Sequence, residues 1–227
     1  PATPPAKRPK KPAARPTPVS RTLERVFGPR EFASPRWFET ALVRARAVCK
    51  IESAEGRGFQ SGFLVRLSDF GLGARSAVGV LTASFGDPLH PASVFFEIAG
   101  ERIAVKKGIL RTPAIDAGTG VQLLQLAKVP SGVEPCPPAE GAPKPGPVIT
   151  ISHPLAGPLG FSTRGELTGV SETTVRYTAA SAAGSGGCPV FDDDWNVIAM
   201  HHIAHPQEGW KSGIRMNVIQ RLARSAK

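Results

Sequence analysis

The stretch Gly184-Ser185-Gly186-Gly187-Cys188-Pro189-Val190-Phe191 places a hydroxyl and a thiol in a glycine-rich loop. Backbone N–H groups of such a loop could receive a carboxylate or a peptide carbonyl, although glycine at 186 also loosens the loop and works against preformed donors. A nucleophile needs a neighbouring base and a group that orients it. The chain offers His90, His201 and Asp116 for those tasks. His201 and His202 are adjacent in a strand pattern, so one faces a pocket and the other the core. Adjacent strand residues cannot both reach one ion, and the pair reads as packed or hydrogen-bonded histidines. His153, before Pro154, reads as a turn residue, and neither a metal nor a cofactor is expected.

The elements that must hold these groups are short. Ser34-Pro35 suits the N-cap and first turn of a helix through about Arg46, with Trp37, Phe38, Ala41 and Leu42 as its buried side. Leu23, Val26 and Phe27 have helical spacing before it, so 21–46 reads as an N-terminal helical segment. Apolar runs then follow at 47–52, 61–67, 77–83, 93–98, 102–107, 121–126, 147–152, 160–169, 173–178, 189–191, 196–202 and 212–216. Such a series of short strands indicates an all-β barrel or sandwich. Ala99-Gly100 suits a hairpin turn, the proline-rich 131–147 a long connection, and Val218 to Arg224 a closing helix.

Six separated landmarks resemble the trypsin/chymotrypsin-like serine protease family, especially its bacterial and intracellular branches. Ser61-Gly62-Phe63-Leu64-Val65 resembles an early strand of the family, and Val80-Leu81-Thr82-Ala83-Ser84-Phe85 the strand that ends in its histidine. Gly120-Val121-Gln122-Leu123-Leu124-Gln125-Leu126 resembles the strand that begins with its aspartate. Ile149-Thr150-Ile151-Ser152-His153-Pro154 resembles the turn opening the second barrel. Val197-Ile198-Ala199-Met200-His201-His202 and Ser212-Gly213-Ile214-Arg215-Met216 resemble the strands around the specificity pocket, whose wall would then hold His201, His202, Ser212 and Gly213. The 184–189 loop is similar to the nucleophile loop. The resemblance covers about 47–224 and implies two six-stranded antiparallel β-barrels, at 47–130 and 148–227, with a helix at each end.

The same resemblance puts Phe85 at the general-base position, Gly120 at the orienting carboxylate and Gly186 at the nucleophile. The mechanism needs a hydroxyl polarised by an imidazole that a carboxylate holds in place. None of these three residues can take its part, so proteolysis by the usual route is not expected. Substitutes are conceivable: Asp116 if 117–120 is an insertion, His90 swinging back from its loop, and Cys188 because some viral relatives use cysteine. The plainer readings are a turn-capping Asp116, a solvated His90, and a Cys188 that points into the wall two residues beyond the nucleophile position. Ser185 should face away from the cleft. What remains is a loop of Gly184, Ser185, Gly186 and Gly187 that could still dock a peptide.

The implied function is therefore a pseudoprotease that binds a peptide or protein through the remnant cleft. The alternative is an endopeptidase with displaced residues, Cys188 or a nearby serine working with His90 or His201. A third reading comes from charge. The chain has 28 Lys and Arg against 18 Asp and Glu, a net +10, and residues 1–20 hold Lys7, Arg8, Lys10, Lys11 and Arg15 without an acid. That proline-rich segment reads as a disordered linker, or as an arm whose residues 7–15 touch nucleic acid. Three widely spaced cysteines, Cys49, Cys136 and Cys188, suit a reducing compartment and a cytoplasmic location. No apolar run is long enough to span a bilayer, and the initial proline suggests an upstream domain.

Overall fold

Three strands, β2 (Gln60–Arg66), β3 (Val78–Ser84) and β6 (Gly120–Leu126), are buried along most of their length. A computed structural model describes residues 33–53, 60–84 and 91–226. In register, Phe63 of β2 faces Leu81 of β3, which faces Leu123 of β6. β1 (Val48–Ser53), β4 (Pro91–Phe96) and β5 (Glu101–Arg111) complete a closed antiparallel barrel of order β1-β2-β3-β6-β5-β4. Closure leaves no sheet edge exposed. Ile51, Phe63, Leu64, Val80, Leu81, Val94, Phe96, Leu123 and Leu124 are all buried, neighbouring residues of a strand on opposite faces of the barrel wall.

The second sheet runs β11 (Pro189–Phe191), β12 (Val197–His205), β13 (Trp210–Arg215), β10 (Thr174–Tyr177), β9 (Gly165–Val170), β7 (Pro147–Ser152) and β8 (Gly160–Phe161). Pairing of β11 with β7 closes six of these strands into a second antiparallel barrel, to which β8 is appended. Val148, Leu167, Val175, Tyr177, Val190, Ile198 and Ala199 form its core. The 131–147 connection crosses between the barrels: the Cys136 N–H donates to Leu64 O, and Val197 and Pro137–Ala139 exchange two backbone bonds.

One helix lies at each end of the described chain, α1 (Pro35–Arg46) and α2 (Met216–Ser225). Ser34 caps α1 through a hydrogen bond from the Trp37 N–H to its Oγ. The buried stripe of α1 is Ala41 and Ala45, whereas Phe38 and Leu42, expected inside, are more than half exposed. The i, i+4 row through two alanines lies closest to its neighbours, and the larger side chains one position round are turned outward. The apolar run 160–169 is two strands. Ser162 hydrogen-bonds Thr150 through both backbone and hydroxyl, and the chain then bends and restarts as β9. Residues 1–32, including the basic arm and the expected helical segment from 21, lie outside the described residues.

Candidate functional site

The loop between β10 and β11 is gripped from two sides. Ser61, at the start of β2, donates its N–H to Gly186 O at 2.9 Å and its hydroxyl to Gly184 O at 2.9 Å. The same hydroxyl accepts the His153 N–H at 2.9 Å. The Gly187 N–H donates to His201 O at 2.8 Å, and the Cys188 N–H to Ser185 O at 3.0 Å. Gly184 and Gly187 have φ of +89° and +85°, where L side chains are disfavoured. A Cβ on Gly187 would also lie 2.3 Å from Ser61 O. Among the described residues, the N–H groups of Gly184 and Gly186 have no acceptor, so both donors remain for an incoming carbonyl or carboxylate.

In the first barrel the position assigned to the carboxylate is built differently. At Gly120 a Cβ would meet Pro113 O at 2.6 Å and Thr112 O at 2.7 Å. No side chain enters there without moving backbone, so the position assigned to the orienting carboxylate is occupied by the chain itself. Asp116, on the tight turn Asp116–Thr119, reaches elsewhere: its carboxylate accepts the Nε2–H of His202 at 2.8 Å. A β-bulge between His201 and Ile203 accompanies this turn of His202 toward the first barrel. Its side chain is fully buried, and its Nδ1 has no partner among the described residues. Burial pushes the His202 imidazole pKa down, against the raising effect of Asp116.

His201 is held in the second barrel, where Nδ1 shares a 2.5 Å hydrogen bond with the Tyr177 hydroxyl. Burial first, and His202 next, lower its pKa to about 3. Both histidines are buried and their side chains diverge, His201 to Tyr177 in the second barrel and His202 to Asp116 of the first. Cys188 is completely buried, and burial drives its thiol pKa up. Cys136 is likewise buried and pushed up to about 12, and all three cysteines are free. Ser185 is buried with its hydroxyl 3.0 Å from that of Ser152. Ser212 is buried too, and Gly213 stacks against Ala199, where a Cβ would lie at 3.0 Å. Phe85 and His90 lie outside the described residues. No cluster of three metal-ligating side chains occurs among the described residues.

Two features were not foreseen. Ser61 appeared in the sequence only as part of a strand landmark, and nothing local marks it as the loop's anchor. The second is that the 153–157 turn, itself expected, packs against Gly184. Its Leu155 N–H donates to Ala183 O at 2.6 Å, and a Cβ on Gly184 would lie 2.7 Å from His153 O. His153 itself is buried, its Nδ1 3.1 Å from Gly157 O, and burial lowers its pKa. Leu155 and Ala156 have φ of +54° and +58°, a conformation that costs a non-glycine residue about 1–2 kcal/mol. Nearby, Ser152, Ser162, Ser181 and Ser185 line a cavity of about 180 Å³ with Pro154 and Phe161. With no ionisable group on its wall, it suits a small uncharged group.

Paired closed barrels with a glycine-rich loop gripped between them define the trypsin-like fold. The trypsin-like peptidase domain model matches residues 60–200, and the chain belongs to that family. Among solved structures it is similar to the Rv3671c protease of M. tuberculosis in its active form, at 15% identity over 95% of this chain and 89% of that one, with a TM-score of 0.60. An inactive serine-to-alanine mutant of the same protein matches at 16% identity over 94% and 95%, with a TM-score of 0.62. A serine endoprotease from Yersinia pestis matches at 15% over 87% and 70%, also at 0.62. At these identities the likeness shows the fold. No curated protein matches the sequence.

Proposed function

We propose that this domain has lost peptidase activity and binds an extended peptide or protein segment in the remnant cleft. The observation that carries the reading is Gly120, where Thr112 and Pro113 have closed the space a catalytic carboxylate would need. Glycine at 186 leaves no hydroxyl in the loop position assigned to attack. Asp116, the nearest substitute carboxylate, is committed to a buried histidine. Cys188 has neither exposure nor thiolate character. The binding apparatus is in better order, since the Gly184 and Gly186 donors are free among the described residues. Beyond His201, the outer edge of β12 has no strand partner there either. An extended peptide adds to such an edge through backbone hydrogen bonds, while its carbonyl meets the loop donors.

The test is incubation of the purified chain with a fluorogenic peptide library, a serine-reactive fluorophosphonate and a thiol-reactive probe. Saturable binding of a subset of peptides by fluorescence anisotropy is measured alongside. Binding without cleavage or stoichiometric labelling is the expected result. Cleavage at defined sites, with one residue labelled, overturns the proposal and makes the chain an enzyme with relocated chemistry.

A further inference from the structure

Four non-glycine residues among those described have positive φ: Ala117, Leu155, Ala156 and Trp195. Trp195 is buried, with Phe191 and Phe161 edge-on to its ring at 5.4 and 6.2 Å, so its packing offsets the strain. Ala117 and Ala156 bear the same backbone cost but present only a methyl group to their surroundings. Leu155 is the exception, because it combines φ +54°, ψ +29° with 76% exposure. Glycine or asparagine would adopt this backbone at less cost, and burial gives little in return at such exposure. The turn needs a left-handed residue at 155; nothing in the fold needs a leucine. Strain of this kind concentrates at ligand clamps.

The position of Leu155 supplies the missing reason. Its N–H holds Ala183 O, the residue before the Gly184 donor, and its backbone nitrogen lies 3.4 Å from where a Gly184 side chain would begin. The turn therefore packs directly on one of the two donor residues, and a peptide bound at Gly184 has Leu155 as an exposed neighbour. The rest of the 153–161 segment is uncharged apart from His153, which is buried. Leu159 spends its N–H on Glu97, and Phe161 adds a second half-exposed apolar side chain. Building on the peptide-binding reading above, we infer that Leu155 is a specificity-determining residue, which selects extended peptides carrying an aliphatic or aromatic side chain beside the residue seated on Gly184 and Gly186.

The probe is an array of twelve-residue peptides of randomised sequence, read with the full chain and with Leu155→Gly, Leu155→Asn and Leu155→Met. The wild type is expected to enrich one apolar position. Leu155→Gly and Leu155→Asn lose that preference and bind the best peptides about tenfold or more weakly, while their thermal midpoint is unchanged or higher. Leu155→Met retains both preference and affinity. A purely structural leucine predicts the opposite pattern, with a changed midpoint and unchanged selection. Peptide binding that survives Leu155→Gly with the same preference overturns the inference but leaves the binding proposal standing. Wild-type chain that binds no peptide overturns both.

Discussion

The two walls of the cleft have been treated in opposite ways. On the second-barrel side, the Gly184–Gly187 loop keeps its positive-φ glycines and its bonds to Ser61 and His201. On the first-barrel side, the Thr112 and Pro113 carbonyls pack against Gly120, and the Asp116 carboxylate is bonded to His202. Loss of catalysis alone would leave an empty triad in an open site. On the proposed reading, a sealed first-barrel wall beside an intact loop means that binding and chemistry make separate demands on the fold.

The sharpest way to break this comparison is to disturb the maintained wall. Gly187→Ala forces a Cβ to 2.3 Å from Ser61 O and 2.5 Å from Thr82 Oγ1 at φ +85°. The expected loss is about 3–4 kcal/mol in urea unfolding. Gly209→Ala, at φ +74° with nothing within 4 Å, should cost only about 1 kcal/mol. Equal losses at the two sites would mean that the grip on the loop contributes nothing beyond backbone strain.

The sealed wall comes next. Gly120→Asp should destabilise by about 2–4 kcal/mol, because the side chain must displace the Thr112 and Pro113 carbonyls. It follows that the triple variant Phe85→His, Gly120→Asp, Gly186→Ser gains no peptidase activity, measured by release of a fluorophore from peptide substrates. A triple variant that folds and cleaves would show that the first barrel had merely lost side chains and kept the space for them.

This contrast explains what the sequence disclosed. Strand patterning and ordered landmarks were enough for two barrels, because Phe63, Leu81 and Leu123 alternate and pair as a closed sheet demands. The loop was legible too, since its glycines lie together in the chain. The sealing of Gly120 was not, because a glycine in a strand does not say what approaches it from eight residues upstream. Nor was the pairing of Asp116 with His202, which joins residues 86 positions apart across a bulge that the alternation rule does not anticipate. For α1, Phe38 and Leu42 misled, since hydrophobicity marks which residues can be buried and only packing decides which are.

A smaller effect comes from protonation. His153, His201 and His202 all have folded pKa values lowered by burial, below the value of about 6.5 expected in the unfolded chain. The unfolded state therefore binds more protons, and stability falls as pH drops below about 6.5. For His201, whose folded value is about 3, that loss continues through the whole range above the carboxylates. Each histidine contributes a slope of at most about 1.4 kcal/mol per pH unit. Urea unfolding at pH 7, 6 and 5 should show the decline, and His201→Gln should reduce its slope by up to one proton. An unchanged slope would mean that the Tyr177–His201 pair accommodates a charge.

The smallest effect tests the link across the two walls. Asp116 is about 42% exposed on its side chain while the His202 side chain is fully buried, so the two partners stand very differently toward water. Asp116→Ala removes the acceptor of a buried N–H and should cost about 1–2 kcal/mol, whereas Asp116→Asn keeps a carbonyl oxygen at that place and should cost less than half as much. An exposed surface ion pair is worth at most about 1 kcal/mol by comparison. If alanine and asparagine behave alike with losses near zero, water replaces the carboxylate and Asp116 is an ordinary turn residue. If only alanine is costly, the aspartate has been taken over from any catalytic use to satisfy a histidine of the opposite barrel, and the sealed wall is held shut in part by the maintained one.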